Sequence, residues 1–182
     1  MNGSHARSGS VSDHPILATA RLTFRPFTPA DRALLEDLHR DPEVGRYMGG
    51  VWTDERIAEA LDRFVAEHAL FGHAKWAAHL HDGTFAGRAG VSVWEPTGEL
   101  ELGYVLKPEF WGQGLATEAA RAVADWAFAN TDADHIIAFT DPQNFGSQRV
   151  LERIGMTRLA DRDMGYAGLS AYFEMRRPSS LP

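Results

Sequence analysis

The chain has 182 residues and is expected to form one domain with a sizeable core. It carries 25 acidic against 18 basic side chains, a net charge of −7, and no basic cluster denser than Arg176-Arg177, which sets nucleic acid aside as a partner. No apolar run is long enough to span a bilayer, and the absence of cysteine excludes disulfides and any protein-bound thioester while fitting a cytoplasmic protein.

Residues 1–15 are rich in Ser, Gly and His and lack an apolar stretch, so they read as a disordered or non-native tail rather than a secretory signal. The domain is expected to occupy 16–178, with a short tail at 179–182. Arg21 to Pro26 alternates polar and apolar residues, the pattern of a strand. Thr28-Pro29-Ala30-Asp31 reads as a helix start, with Leu34, Leu35 and Leu38 on one face as far as His39, and Asp41-Pro42 as its end. The linker Glu43 to Trp52 mixes glycine with large aromatics. Two readings stand for it, a substrate-facing loop or a loop whose Tyr47 and Trp52 cap the core.

A second helix is expected from Thr53-Asp54-Glu55 to Phe71, with Ile57, Leu61, Phe64 and Val65 at helical spacing and Gly72 closing it. Strands follow at Lys75 to His81, Thr84 to Trp94 and Glu99 to Leu106, separated by the turn signals Asp82-Gly83 and Pro96-Thr97-Gly98. Trp76 and Trp94 read as core residues, and His39 and His73 as surface ones. His79 and His81 share a strand face but lack a third ligand, so no metal is expected.

Trp111-Gly112-Gln113-Gly114-Leu115-Ala116-Thr117 joins the last of these strands to a helix over Leu115 to Phe128. A strand, a glycine-rich turn and a helix N-terminus gather unpaired backbone N–H groups at the positive end of a helix dipole, a site suited to a pyrophosphate. Leu115-Ala116 stands where a nucleotide P-loop needs Lys-Ser/Thr, and Thr117 where a dinucleotide fingerprint needs a third glycine. Beyond it lie a strand at His135 to Thr140, a helix from Phe145 to Ile154 closed by Gly155, and strands at Met156 to Met164 and Ser170 to Arg176 flanking a turn at Gly165 to Gly168. The order implies an α/β (α+β) fold: a mixed, mostly antiparallel sheet of about seven strands flanked by about four helices.

This order, the Trp-Gly-x-Gly-x-Ala-Thr-Glu-Ala run at Trp111–Ala119, and Asn144-Phe145-Gly146-Ser147 ahead of a helix ending in Gly155-Met156 together resemble the GNAT superfamily of acyl-CoA-dependent N-acyltransferases. The likeness covers about Arg21 to Arg176 and is greatest to the branch that includes ribosomal-protein N-terminal acetyltransferases. Trp111 departs from the Gln or Arg that the general motif has at its first position.

The resemblance implies acetyl-CoA as acyl donor and direct attack by a primary amine in a ternary complex. The backbone of Gly112, Gln113, Gly114, Leu115, Ala116 and Thr117, behind Trp111, would hold the pyrophosphate. Tyr104, Val105 and Leu106 would pair with the pantetheine arm as an added strand, where the sheet splays beside a bulge at Gly103. Asn144 would tie that arm to the final helix, and Ser147 would protonate the departing thiolate. The blander alternatives are an N-cap asparagine and a first-turn serine. Strand alternation puts Glu99, Glu101 and Gly103 on one face, making Glu101 either the base that takes the amine's proton or part of a solvated face.

The acceptor pocket is expected between Arg46–Trp52 and Asp163–Tyr172, for a protein N-terminus or a small amine. The molecule would be a monomer or homodimer. A non-catalytic acyl-CoA sensor of the same fold is the second reading.

Overall fold

The computed structural model describes residues 15–165 and 168–178. The expected tails lie outside these residues, apart from Pro15, as does the middle of the turn at Gly165–Gly168. Strands β1 (Leu17–Ala18) and β2 (Leu22–Arg25) lead through a 3₁₀ turn into helix α1 (Arg32–His39), a single helical turn α2 (Pro42–Gly45) and the long α3 (Asp54–Phe71). The meander β3 (Lys75–Leu80), β4 (Phe85–Trp94) and β5 (Glu99–Leu106) follows, then α4 (Leu115–Asn130), β6 (His135–Thr140), α5 (Phe145–Arg153), β7 (Thr157–Arg158), β8 (Arg162–Asp163) and β9 (Leu169–Arg176).

The sheet order is β1-β2-β3-β4-β5-β6-β9-β7, with β8 also on β9. Every pairing is antiparallel except β5 with β6, because α4 carries the chain over the sheet between them. Each face is covered. On one side Leu115, Ala119, Ala120, Val123, Ala124 and Ala127 of α4 bury against Leu100, Leu102, Val91 and Trp76. On the other, Leu35, Leu38, Ile57, Leu61 and Phe64 of α1 and α3 bury against Ala74, Ala77 and Phe85. Alternation along β3 sends Trp76 and Ala78 to the first core and Ala77 to the second. Among the described residues no helix is long and apolar enough to cross a membrane.

The element order is as expected, with additions. Asp41-Pro42 does end α1, but it also starts α2: Asp41 accepts from the N–H groups of Glu43 and Val44, and Pro42 is the first helical residue. The single strand expected over Met156–Met164 is two short pieces, β7 and β8. Each pairs with a different part of β9, and residues 159–161 lie between them. His39 and His73, expected at the surface, are both buried. Trp76 is in the core as expected, whereas Trp94 packs edge-on against Phe139 and lines a cleft.

Candidate active site

Strand β5 organises the site because its two neighbours treat it differently. It pairs with β4 along its whole length, from Glu99 opposite Trp94 to Leu106 opposite Gly87. With β6 it pairs only at Leu100–Ile136 and Glu101–Ile137, so the sheet forks immediately beyond Glu101. The splay expected beside the donor site is therefore present. The bulge expected at Gly103 is absent, because the register against β4 runs unbroken through Gly103 opposite Gly90. A Cβ at residue 103 would lie 2.9 Å from Glu101 Oε1 and 2.9 Å from Lys75 Cε. Glycine stands there to make room for those two side chains, not to bend the strand.

A cleft of about 780 Å³ opens at the fork. Of the residues expected at the site it brings together Glu101, Tyr104, Val105, Asn144 and Ser147. Alternation along β5 puts Glu101 and Val105 on the α3 face and Tyr104 on the α4 face. The fork lets one cleft reach both faces. Tyr47, Met48 and Trp52 of the linker and Gly168–Ser170 of the last hairpin border it, where the acceptor pocket was expected, joined by the α3 residues Arg56, Glu59, Arg63 and Glu67. Of the linker's two aromatics, Trp52 is buried in the core and also forms cleft wall, whereas Tyr47 is half-buried at the cleft.

On the α4 face, the hydroxyl of Tyr104 lies 2.9 Å from Ser147 Oγ and 3.0 Å from the Ser147 carbonyl oxygen. Asn144 caps α5 by accepting from the Ser147 N–H at 3.0 Å, which fixes Ser147 in the helix's first turn. Burial pushes the Tyr104 phenol well above its ordinary pKa, against the opposing hydrogen bond from Ser147. The Tyr104 phenol and the Ser147 hydroxyl thus form one hydrogen-bonded pair at the cleft.

On the α3 face, the Lys75 ammonium donates to Glu101 Oε2 at 2.5 Å and to the Glu101 carbonyl oxygen at 2.7 Å. Both side chains are largely buried, with 6% and 15% of their surface exposed. Burial lowers the Lys75 pKa, and the adjacent carboxylate opposes that shift. Lys75, Gly90 and Gly103 form one cross-strand row, so the lysine reaches Glu101 over two positions without side chains.

The glycine loop lies outside this cleft and borders a surface depression of about 520 Å³ with Arg121 and Arg153. Gly112 and Gly114 take left-handed backbone conformations, φ +73° and +78°, that other residues rarely adopt. Among the described residues, the N–H groups of Gly112, Gln113 and Gly114 donate to no backbone acceptor. Those of Leu115, Ala116 and Thr117 belong to the first turn of α4, where no intrahelical partner exists. Trp111 fixes the loop's start by donating its indole N–H to the Leu106 carbonyl at 2.8 Å. Arg21 donates to the Gln113 carbonyl at 2.9 Å and is itself held by Glu118.

The side chains of Leu106 and Leu115 are in the core, which leaves only their backbone groups on the outside. Unpaired N–H groups at the loop, a strand edge that β6 leaves open and a cleft at the fork fit the pyrophosphate, pantetheine and acetyl parts of acetyl-CoA.

Lys75 is the principal residue that sequence reasoning missed. A lysine opening a strand reads as solvent-facing, and the available signal was the pair of glycines, Gly90 and Gly103, that face each other across β4 and β5. Among the described residues no group of three His, Cys, Asp or Glu side chains is placed to hold a metal.

The profile of the Acetyltransferase (GNAT) domain family matches residues 21–157. An uncharacterised protein of Bacillus subtilis, YkkB, is 32% identical over 144 residues, 77% of this chain and 84% of its own. The FsC-acetyl coenzyme A-N(2)-transacetylase of Aspergillus fumigatus is 30% identical over 161 residues, 82% of this chain and 68% of its own. The crystal structure of an acetyltransferase from Agrobacterium tumefaciens superposes with a TM-score of 0.78 at 29% identity, covering 94% of this chain and 100% of that one. With the forked sheet and the glycine loop, these matches establish that the chain belongs to the GNAT acetyltransferase family and uses acetyl-CoA as its acyl donor.

Proposed function

We propose that the protein transfers the acetyl group to a primary amine, of a small molecule or a protein N-terminus, by direct attack in a ternary complex. The observation that carries this reading is the fork at Glu101: a carboxylate on one face of the sheet and a hydroxyl pair on the other open into one cleft. A nucleophile and a leaving group need proton acceptor and donor on opposite sides of the reacting carbon, and the fork is the passage between them.

Bound at the loop and along β5, acetyl-CoA supplies the reactive thioester. Glu101, held by Lys75, takes a proton from the amine directly or through water as the N–C bond forms. Backbone N–H groups at the fork stabilise negative charge developing on the acetyl oxygen. Ser147, oriented by Tyr104, donates to the sulfur as the C–S bond breaks. A thiolate is a good leaving group, so this last contribution is modest. Residues 16–178 act as one unit in this scheme, since the turn between β1 and β2 braces the loop and β9 borders the cleft.

Calorimetric titration with acetyl-CoA, followed by a thiol-release assay against small amines and peptides with free N-termini, tests the reading. Binding with turnover is expected; binding without turnover of any amine would leave a sensor instead.

A further inference from the structure

Arg56 occupies the third position of α3, where a positive charge faces the positive end of the helix dipole. Its guanidinium lies over the Trp52 ring, with Cζ 4.5 Å from the ring centroid. Among the described residues its side chain makes no hydrogen bond or ion pair, while its backbone N–H donates to the Thr53 hydroxyl oxygen. The carboxylate of Asp54 next to it is engaged by Arg40 at 2.5 Å. The charge also presses on a buried neighbour: the His39 pKa is lowered by burial first, then by Arg88 and by Arg56. Helix stability therefore gives no reason for a cation at this position.

The surroundings of Arg56 are rigid. Trp52 is 6% exposed and stacks on His39 with centroids 3.5 Å apart and an interplanar angle of 1°, and Arg88 donates to that histidine at 3.0 Å. A guanidinium laid on such a platform keeps its N–H edge available for a planar oxyanion. Gly49 leaves that edge uncovered, since a Cβ there would sit 3.7 Å from Arg56 Nη1. The three other cleft cations are already engaged, Lys75 by Glu101, Arg88 by the platform histidine and, more loosely, Arg63 by Glu67 at 3.8 Å. Glu59 and Glu95 line the same cleft as exposed residues, outside the buried platform.

We infer that Arg56 on its Trp52 platform is a carboxylate-recognition point in the acceptor half of the cleft, and that the acceptor is an amine that also carries a carboxylate, as an amino acid does. This rests on the acetyltransferase reading above and narrows its acceptor. The amine would lie toward Glu101 and the carboxylate toward Arg56, a charge order that simple alkylamines cannot satisfy.

The test compares acceptors that differ only at the acid: amino acids, their carboxamides and the corresponding decarboxylated amines, each with acetyl-CoA in a thiol-release assay. At least one acid is expected to exceed its carboxamide about tenfold in kcat/KM, the scale of one charge-assisted hydrogen bond. Arg56→Gln should abolish that preference by raising KM for the acid, with KM for acetyl-CoA unmoved, and Arg56→Lys should keep part of it. Equal turnover of acids and carboxamides, or an Arg56→Gln variant that loses both alike, would overturn the inference and leave the acetyltransferase reading standing. Acetyl-CoA binding with no turnover of any amine would overturn that reading, and this inference with it.

Discussion

The Lys75 ammonium bridges both the side chain and the backbone of Glu101, at 2.5 Å from Oε2 and 2.7 Å from the carbonyl oxygen, at the residue where β5 leaves β6. Replacing Lys75 by Met strands a carboxylate that is 85% buried, and breaking such a pair from one side costs about 3–5 kcal/mol. Urea unfolding of Lys75→Met should show a loss of this size. The double variant Lys75→Met/Glu101→Leu should recover most of it while remaining slow in turnover. Glu101→Gln alone should cut kcat at neutral pH and leave acetyl-CoA affinity intact; unchanged kcat would remove Glu101 from the chemistry.

Tyr104→Phe deletes a hydroxyl bonded to both oxygens of Ser147. The lost hydrogen bond should cost about 1 kcal/mol of stability, and kcat should fall severalfold with little change in KM for acetyl-CoA. In the proposed scheme Tyr104 works through Ser147, so Ser147→Ala should take most of the effect with it. A double-mutant cycle on kcat that returned simple additivity would mean that the two hydroxyls act separately.

Glu118 accepts from the Thr19 hydroxyl at 2.6 Å, the Arg21 N–H at 2.8 Å and Arg21 Nε at 2.7 Å, while Arg21 holds the Gln113 carbonyl. The turn between β1 and β2 thereby braces the glycine loop from the side. Glu118→Ala should raise KM for acetyl-CoA severalfold with kcat nearly constant, since in the proposed scheme the loop binds the donor and touches no reacting atom. Initial rates at varied acetyl-CoA would show it; a fall in kcat alone would contradict it.

Two histidines should shape the pH dependence of stability in opposite senses. Burial, aided by Arg88 and Arg56, holds His39 down to about 2. Between there and the unfolded value near 6.5 the unfolded chain binds a proton that the native one refuses. Acidification below about pH 6.5 should therefore cost up to about 1.4 kcal/mol per unit. His135, bonded to Glu99 and Asp134, has a raised pKa. Its contribution is complete below about pH 6.5 and fades as pH rises through its folded value. Denaturation midpoints against pH should show His39→Gln flattening the acid limb and His135→Gln the alkaline limb.

Features punctuated locally were legible in the chain. Gly112 and Gly114 marked the loop, the alanine-rich face of α4 marked its helix, and Asn144 and Ser147 marked the start of α5. What escaped depends on distant partners. His39 ends an amphipathic helix and reads as surface, and it is buried because Trp52, thirteen residues on, folds flat over it. Lys75 escaped because the vacancy it fills comes from two glycines on other strands. Met156–Met164 looked like one strand because local alternation carries no information about where β9 pairs.

Across the middle of the sheet, and among the described residues, the ladder between strands β1–β5 and strands β6–β9 has two residue pairs, Leu100–Ile136 and Glu101–Ile137. A donor lying in the gap would add a cross-tie on the sheet between two halves that otherwise share the core beneath α4, with its pantetheine as a surrogate rung and the glycine loop as its anchor. Occupancy should then register as rigidity of the whole molecule. A ligand at a hundred times its Kd adds about 2.7 kcal/mol to folding, and CoA shares every part of the tie except the acetyl group. Each turnover would tighten the molecule on loading and slacken it again only when the product departs.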